Sequence, residues 1–445
     1  MNKKKILRCF SVLLALSMLM AMLPAGAYAA DAWDGSIDVS WYNTTDTSFT
    51  ITTAAQLAGL AAIVNGTAEG IDKDSFAGKT ITLGADIDLG NRNWTPIGRR
   101  TALYVYDGFA GCFDGNEHTV SNFSVTDISA HSNSVVTGGV GLFGSVNGTT
   151  EANAEIKNLT LVGNVTVYLG NEEIDPADLT GFSGLIGIAC NVSITDCIVS
   201  VTVRETYAGQ QQVVQGMGGI VGYGEYVTIM RCANTCDIIA GRCQYVGGII
   251  GWIQQTCTIQ DCYNRGNVSA PEQGTCGGIV GYINKNSSIS NCYNSGTVSG
   301  KTSVGAIFGQ VKKKLTISGE NIFYLDSCCS KAIGSLGSGA TAAATTAKSA
   351  EALALPAFVS DLNNNGAWQI GLTFPILVCQ KEEIPKGDIS RSGIVDENDV
   401  TYLIGHVIGT GLLDPSLASL GDMNGDNLID ENDVTYLIQS VLHVN

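Results

Sequence analysis

The sequence predicts a mainly β fold: a right-handed parallel β-helix or solenoid with capping helices, followed by a small α-helical module built on two calcium-type loops. Three observations carry this. A Gly-Gly-apolar-apolar-Gly element recurs through the middle of the chain. The segments between these elements are short apolar stretches separated by Gly, Asn and Ser, without helical period. Near the end, an acidic twelve-residue loop and the start of a helix occur twice. The expected segments are a signal peptide over 1–29, the solenoid with its caps over 30–379, a linker over 380–386 and the calcium-type module over 387–445.

In chain order, Lys3, Lys4, Lys5 and Arg8 precede an apolar run from Cys9 to Leu23, and Ala27-Tyr28-Ala29 forms a small-residue cleavage site. That is the pattern of an export signal. A membrane anchor is the alternative, but the run is short and ends at Pro24. Export implies a secreted, extracellular or cell-surface location in a bacterium, without direct membrane insertion once the signal is removed. The mature chain would keep twenty basic against 41 acidic residues, a formal charge of about −21. Such a chain does not seek nucleic acid, because phosphate binding relies on clustered Lys and Arg. Thirteen cysteines remain after Cys9, and their pairing is not readable from sequence. No Cys/His spacing suits zinc.

At the N-terminal end of the solenoid, Thr53 and Gln56 form a capping box. Leu57, Leu60, Ala61 and Val64 follow helical spacing, and Gly66 ends the helix. Ile81, Leu83, Ala85, Ile87 and Leu89 alternate as one half-buried strand. The repeat follows at Gly218-Gly219-Ile220-Val221-Gly222, Gly247-Gly248-Ile249-Ile250-Gly251, Gly277-Gly278-Ile279-Val280-Gly281 and, degenerate, Gly305-Ala306-Ile307-Phe308-Gly309. Looser copies lie at Val140–Gly144 and Ser183–Gly187. Fourteen or fifteen residues after each Gly pair comes Cys232-Ala233-Asn234, Cys262-Tyr263-Asn264 or Cys292-Tyr293-Asn294. Each unit offers about three short strands, and equivalent residues stack rung on rung at about 4.8 Å. Cys then fills the core and Asn ladders at bends. Open ends of such a stack must be covered. At the far end Gly337 to Lys348 reads as a loop, Ala350 to Leu362 as a short helix and Phe374 to Val378 as a final strand.

Residues 31 to 379 resemble the GLUG-type repeat proteins of bacterial surfaces. The likeness rests on Trp33-Asp34-Gly35, Ser40-Trp41-Tyr42-Asn43, the Thr53 to Gly66 segment, Trp94-Thr95-Pro96-Ile97-Gly98 and Phe113-Asp114-Gly115-Asn116, besides the Gly repeats. It implies surface and adhesive roles without a fixed chemistry.

The module holds two twelve-residue loops, 388 to 399 and 422 to 433, each followed by Val-Thr-Tyr-Leu-Ile. The candidate calcium ligands are Asp388, Ser390, Ser392, Ile394, Asp396 and Asp399 in the first loop. In the second they are Asp422, Asn424, Asp426, Leu428, Asp430 and Asp433, Ile394 and Leu428 acting through their carbonyls. Calcium takes six to eight oxygens, and this spacing wraps a loop around it. Gly393 and Asn427 occupy the sharp turn. Val400, Leu403, Ile404 and Val407, and likewise Val434, Leu437, Ile438 and Val441, trace one helix face each, so two amphipathic helices can pack together. The arrangement resembles a type I dockerin, since no helical pattern precedes either loop. The resemblance implies a cohesin partner on a scaffoldin or surface protein, contacted through Glu397, Asn398, Glu431 and Asn432, and a place in cellulosome-type, plant-polysaccharide-degrading assemblies. Those four residues depart from the common Ser-Thr pair, and Ser390 and Ser392 leave the first loop with fewer charges.

Parallel β-helices also include polysaccharide lyases and glycoside hydrolases, for which Asp86, Asp88, Asp114 and Glu117 are the candidate carboxylates, near Arg99, Arg100 and His118. Against that, an outward Asp on a strand is usually solvated, and Asp114-Gly115-Asn116 reads as a turn. His131 and His443 have no nucleophile beside them. Tyr223, Trp252 and Tyr282 follow the closing Gly of three successive units and form a candidate glycan strip, expected to stack. Tyr263 and Tyr293 are a possible extension. Alternation around Ile249, Ile250 and Gly251 leaves the direction of Trp252 open. The functional expectations are therefore a non-catalytic, docked, polysaccharide-binding or adhesive component, a docked β-helix enzyme, or a structural spacer.

Overall fold

A computed structural model describes residues 33–98, 108–126, 138–149, 152–169, 179–207, 216–272, 274–362, 366–380, 385–390, 395–411, 413 and 417–442. The export segment, Arg99, Arg100, His131, Ser392, Gly393, Ile394, His443 and linker residues 381–384 lie outside them.

The fold is mainly β and its two large sheets are parallel. Among the described residues, twenty-four strands form one of them and six the other. Each strand pairs with one a repeat further on, which is the pairing of a β-solenoid. The unit Tyr245–Gly247, Ile250–Ile253, Thr258–Gln260, Tyr263–Asn264 and Val268–Ala270 lies in register on Thr275–Gly277, Val280–Ile283, Ser287–Ser290, Cys292–Asn294 and Val298–Gly300. A repeat thus carries five short strands, not the three expected. The extra break comes from a corner residue in the left-handed region: Asp196, Arg231, Asp261, Asn291 and Asn321 stand at φ of 54°, 50°, 52°, 53° and 55° in successive rungs. Non-glycine residues adopt that region reluctantly, Asn and Asp least so. Side chains along the corner support one another. Arg231 forms a two-bond pair with Asp196 at 2.7 Å, Asn291 donates to Asp261 at 3.0 Å and Asn321 donates to Asn291 at 3.1 Å.

The repeated Asn does ladder. Asn234 Nδ2 donates to Asn264 Oδ1 and Asn264 Nδ2 to Asn294 Oδ1, both at 2.7 Å, with all three side chains fully buried. Each Nδ2 also reaches a carbonyl two residues on, at Cys236, Gly266 or Gly296. This ladder accounts for the second Gly of each pair. A Cβ on Gly248 would lie 2.3 Å from Asn264 Cγ and 2.1 Å from the Gly278 carbonyl, and Gly278 is in the same position against Asn294. Beside the ladder Cys197, Cys232, Cys262 and Cys292 fill the core, each thiol donating to the carbonyl two residues before it at 3.0–3.3 Å. Burial holds the Cys232 and Cys262 thiols well above their ordinary pKa. The thirteen cysteines after Cys9 form no disulfide among the described residues.

At the N-terminal end, helix α1 (Ala54–Asn65) runs from Thr53, whose hydroxyl accepts from Gln56 N, to Gly66 at φ 69°. Gln56 returns its bond to Thr52 N rather than to Thr53. The predicted face, Leu57, Leu60, Ala61 and Val64, is buried. The strand expected over Ile81 to Leu89 divides into Thr80–Leu83 and Ile87–Asp88. At the other end a strand, Ile333–Leu336, comes just before the expected loop, and the end of that loop is a further strand, Thr345–Lys348, paired with Ile322–Leu325. Parallel pairing with the previous rung overrides the low strand propensity of this Gly/Ala/Thr stretch. The expected single helix is two, α2 (Ala350–Ala354) and α3 (Ala357–Leu362), separated at Pro356. Ile376–Leu377 pairs antiparallel with Trp368–Gln369.

The final module holds α4 (Glu397–Val407) and α5 (Glu431–Leu442). Ile389, Leu403 and Leu437 are its buried apolar residues, with Val400, Val434 and Val441 against them. Ile404 and Ile438, expected on the packed face, are 38% and 37% exposed.

Candidate functional site: the duplicated loops and an outward aromatic strip

Among the described residues, the two loops repeat the same bonds around their last carboxylate at a spacing of 34 residues. Asp399 Oδ1 accepts from Ser390 N at 2.6 Å and Oδ2 from Asp396 N at 2.9 Å. Asp433 Oδ1 accepts from Asn424 N at 3.1 Å and Oδ2 from Asp430 N at 2.9 Å. Asp396 and Asp430 then accept from Asn398 N and Asn432 N, so the last loop residues cap the helices. In the second loop Asp422 gathers N–H groups from Gly425, Asp426 and Asn427, and Asp426 Oδ1 accepts from Leu428 N. Asn427 takes the sharp turn at φ 66°.

Asp388, Asp399 and Asp433 are fully buried. Among the described residues no Lys, Arg or His forms an ion pair with Asp399 or Asp433. A buried carboxylate compensated only by N–H donors is costly. The donor set therefore suits a hard, oxygen-seeking cation, although no three acidic, His or Cys side chains among the described residues converge as a metal cluster. Ser392 and Ile394 lie outside the described residues. Glu397, Asn398, Glu431 and Asn432 are exposed at the starts of α4 and α5, and Tyr402, Ile408, Tyr436 and Leu442 are also exposed on these helices.

On the coil, Tyr223, Trp252 and Tyr282 occupy one register column. Ile253 and Ile283, next along their strands, are wholly buried, so Trp252 and Tyr282 point outward. The rings do not stack face to face as expected. Trp252 meets Tyr223 edge-on at 5.0 Å and Tyr282 at 6.4 Å, because Tyr245 from the second sheet fills the space and stacks on Tyr282 at 4.3 Å and 13°. Tyr223 is only 8% exposed and its hydroxyl bonds Glu225, so the accessible strip is Trp252, Tyr245 and Tyr282. Burial pushes the Tyr245 hydroxyl up to about 12. Trp252 Nε1 has no hydrogen-bond partner among the described residues.

Tyr263 and Tyr293 do not extend this strip. They stack at 5.1 Å under the C-terminal cap, with Phe358 and Trp368 on them. The Tyr293 hydroxyl donates to Pro375 O at 2.6 Å and that of Tyr263 to Gln380 Oε1 at 2.8 Å. Gln380 is thus part of the cap, one residue beyond the expected domain end.

The candidate catalytic carboxylates are dispersed: Asp86 lies just before the strand Ile87–Asp88, Asp88 and Asp114 end short strands, and Glu117 lies in a turn. Asp86 accepts from His118 Nδ1 at 3.1 Å and Thr119 N at 2.9 Å. Asp88 accepts from Gly90 N and Asn122 Nδ2, and Asp114 from Asn116 N and Asn158 Nδ2. Glu117 lines a cleft of 470 Å³ with Asp196, Asn158 and Cys379. The second carboxylate of that cleft, Asp196, is already held by Arg231.

No family model matches the chain, and no curated protein matches it. Among solved structures it is similar to a putative immunoglobulin A1 protease from Bacteroides ovatus, at 22% identity over 76% of this chain and 94% of that one, with a TM-score of 0.49. A superposition of that quality carries no argument about function.

Proposed function

We propose that the chain is an exported, non-catalytic component of an extracellular polysaccharide-degrading or surface assembly. Residues 387–445 act as a type I dockerin-like module, and the right-handed GLUG-type solenoid presents a glycan-binding face. The observation that carries this reading is that the same bonds recur around Asp399 and Asp433, two buried carboxylates without a cation partner among the described residues. Calcium, when bound, supplies the positive charge that offsets these carboxylates. In the second loop Asp422, Asn424, Asp426, Asp430 and Asp433 would hold it with the Leu428 carbonyl, and in the first Asp388, Ser390, Asp396 and Asp399. The duplicated exposed helix starts, Glu397-Asn398 and Glu431-Asn432, would then meet a cohesin.

The test is a calcium titration of the full chain followed by circular dichroism and by pull-down on a panel of cohesins. Helix content should rise with calcium, and capture should need it. Equal helix content in chelator and in calcium, with no capture by any cohesin, would remove the docking reading.

A further inference from the structure

The last rungs of the coil carry the opposite charge from the rest of the chain. The formal charge overall is −17, yet residues 280 to 348 contain seven lysines against Glu320 and Asp326. Lys348 pairs with Asp361. Among the described residues none of the other six makes an ion pair. Four of them, Lys285, Lys312, Lys313 and Lys314, are exposed in one turn column. Ile283 pairs with Val311, and Lys285 and Lys312–Lys314 follow in the turns after these two strands, in successive rungs. Like charges gathered on neighbouring turns repel, and an anion would relieve that.

This column adjoins the aromatic strip. Period-two alternation puts Gln254 beside Trp252 and Asn284 beside Tyr282 on the outward side, with Ile253, Ile283 and Val311 buried between the outward residues. The outward column is hydrogen-bonded from rung to rung. Asn284 Nδ2 donates to Gln254 Oε1 at 2.7 Å, and Lys312 Nζ donates to Asn284 Oδ1 at 2.6 Å. The surface therefore runs from flat rings, through amides, to ammonium groups, with a rung spacing of about 4.8 Å, on the order of one pyranose ring.

We infer that this surface recognises an acidic polysaccharide, a glycan bearing carboxylates along its chain, its sugar faces on Trp252, Tyr245 and Tyr282 and its carboxylates on Lys285 and Lys312–Lys314. The inference rests on the glycan-strip reading and names the ligand class. Aromatic faces take sugars irrespective of charge, and the lysines select the charged polymer.

The experiment is affinity electrophoresis of the full chain in gels containing polygalacturonate or the same polymer fully methyl-esterified, at low and high salt. Wild type should be retarded more by polygalacturonate, and salt should remove the difference. The K312Q/K313Q/K314Q variant should lose the acid preference by about tenfold and keep its retardation by the ester. W252A/Y282A should lose retardation by both. Equal retardation of wild type by the two polymers, or an unchanged preference in the lysine variant, overturns the acidic ligand and leaves the glycan strip standing. No retardation by either polymer overturns both, and loss in the lysine variant with none in W252A/Y282A removes the strip alone. Thermal melting of each variant separates lost binding from lost fold.

Discussion

Two regions of this chain repeat, and they satisfy their repeated polar groups in different ways. In the coil, each Asn of the buried ladder bonds the next Asn one rung away and a carbonyl two residues on. In the module, among the described residues, Asp399 and Asp433 receive only N–H groups of their own loops. A neutral amide ladder closes on itself as rungs are added, whereas a buried carboxylate has more acceptor capacity than the two N–H groups each loop gives it. Repetition in the first region specifies a fold, and repetition in the second points to a ligand.

The comparison breaks most readily at Gly248. A valine there meets the Gly278 carbonyl and Asn264, both closer than real Cβ contacts allow, so Gly248→Val should destabilise the coil by more than about 4 kcal/mol. Urea denaturation in calcium and in chelator should give the same loss. A loss that calcium repairs would mean the two regions do not differ as described.

Next in size is metal dependence of the module. Among the described residues its buried apolar cluster is Ile389, Leu403 and Leu437, a small core, so calcium at a hundred times its dissociation constant should add about 3 kcal/mol. Chelator should lower the module's transition in calorimetry and leave that of the coil in place. The second loop supplies four carboxylates and the first only three, so Asp422→Ala should weaken calcium binding more than Asp388→Ala.

The parts of this contrast that were legible in the sequence are those whose chemistry repeats along the chain. Gly-Gly, Cys, Asn and the acidic loops recur as the same residue types, and the coil, its Asn ladder and the duplicated loops follow from them. The five-strand repeat was hidden because the left-handed corner has no common residue: it is Asp196, Arg231, Asp261, Asn291 and Asn321. Tyr245 was missed because the residues opposite it, Gly216 and Thr275, are not aromatic. Tyr263 and Tyr293 read as possible surface because their cover comes from residues such as Phe358 and Pro375, far along the chain. Local pattern does not report a distant cap.

The aromatic strip sharpens the comparison from the coil's side, since here a repeated register faces outward. Trp252 and Tyr282 are half-buried, so replacing both by Ala should cost about 1–2 kcal/mol of stability and abolish retention on insoluble polysaccharides. Lost stability with unchanged retention would leave only an aromatic ladder.

The smallest effect concerns Glu205, a carboxylate in the coil that resembles the module's rather than the coil's usual polar groups. It is 2% exposed, accepts from Arg242 N at 2.7 Å and, among the described residues, has no partner for Oε1. Burial raises its pKa above the ordinary glutamate value, and the backbone N–H groups of Arg242, Gly241 and Cys243 pull only partly in the other direction. A raised folded-state pKa means the folded coil holds the proton more tightly than the unfolded chain. The contribution to stability is therefore fully present below the ordinary value and is lost as pH rises through the raised one. Glu205→Gln keeps the size and removes the charge, so it should flatten that pH dependence and leave the variant more stable than wild type at neutral pH, by on the order of 1 kcal/mol or less. Melting curves of both proteins between pH 4 and pH 8, in buffers without divalent ions, isolate the coil's own carboxylate from those of the module. If the wild-type coil instead gains stability toward neutral pH relative to the variant, Glu205 is held as a charge by a partner, and the coil also contains a site of the module's kind.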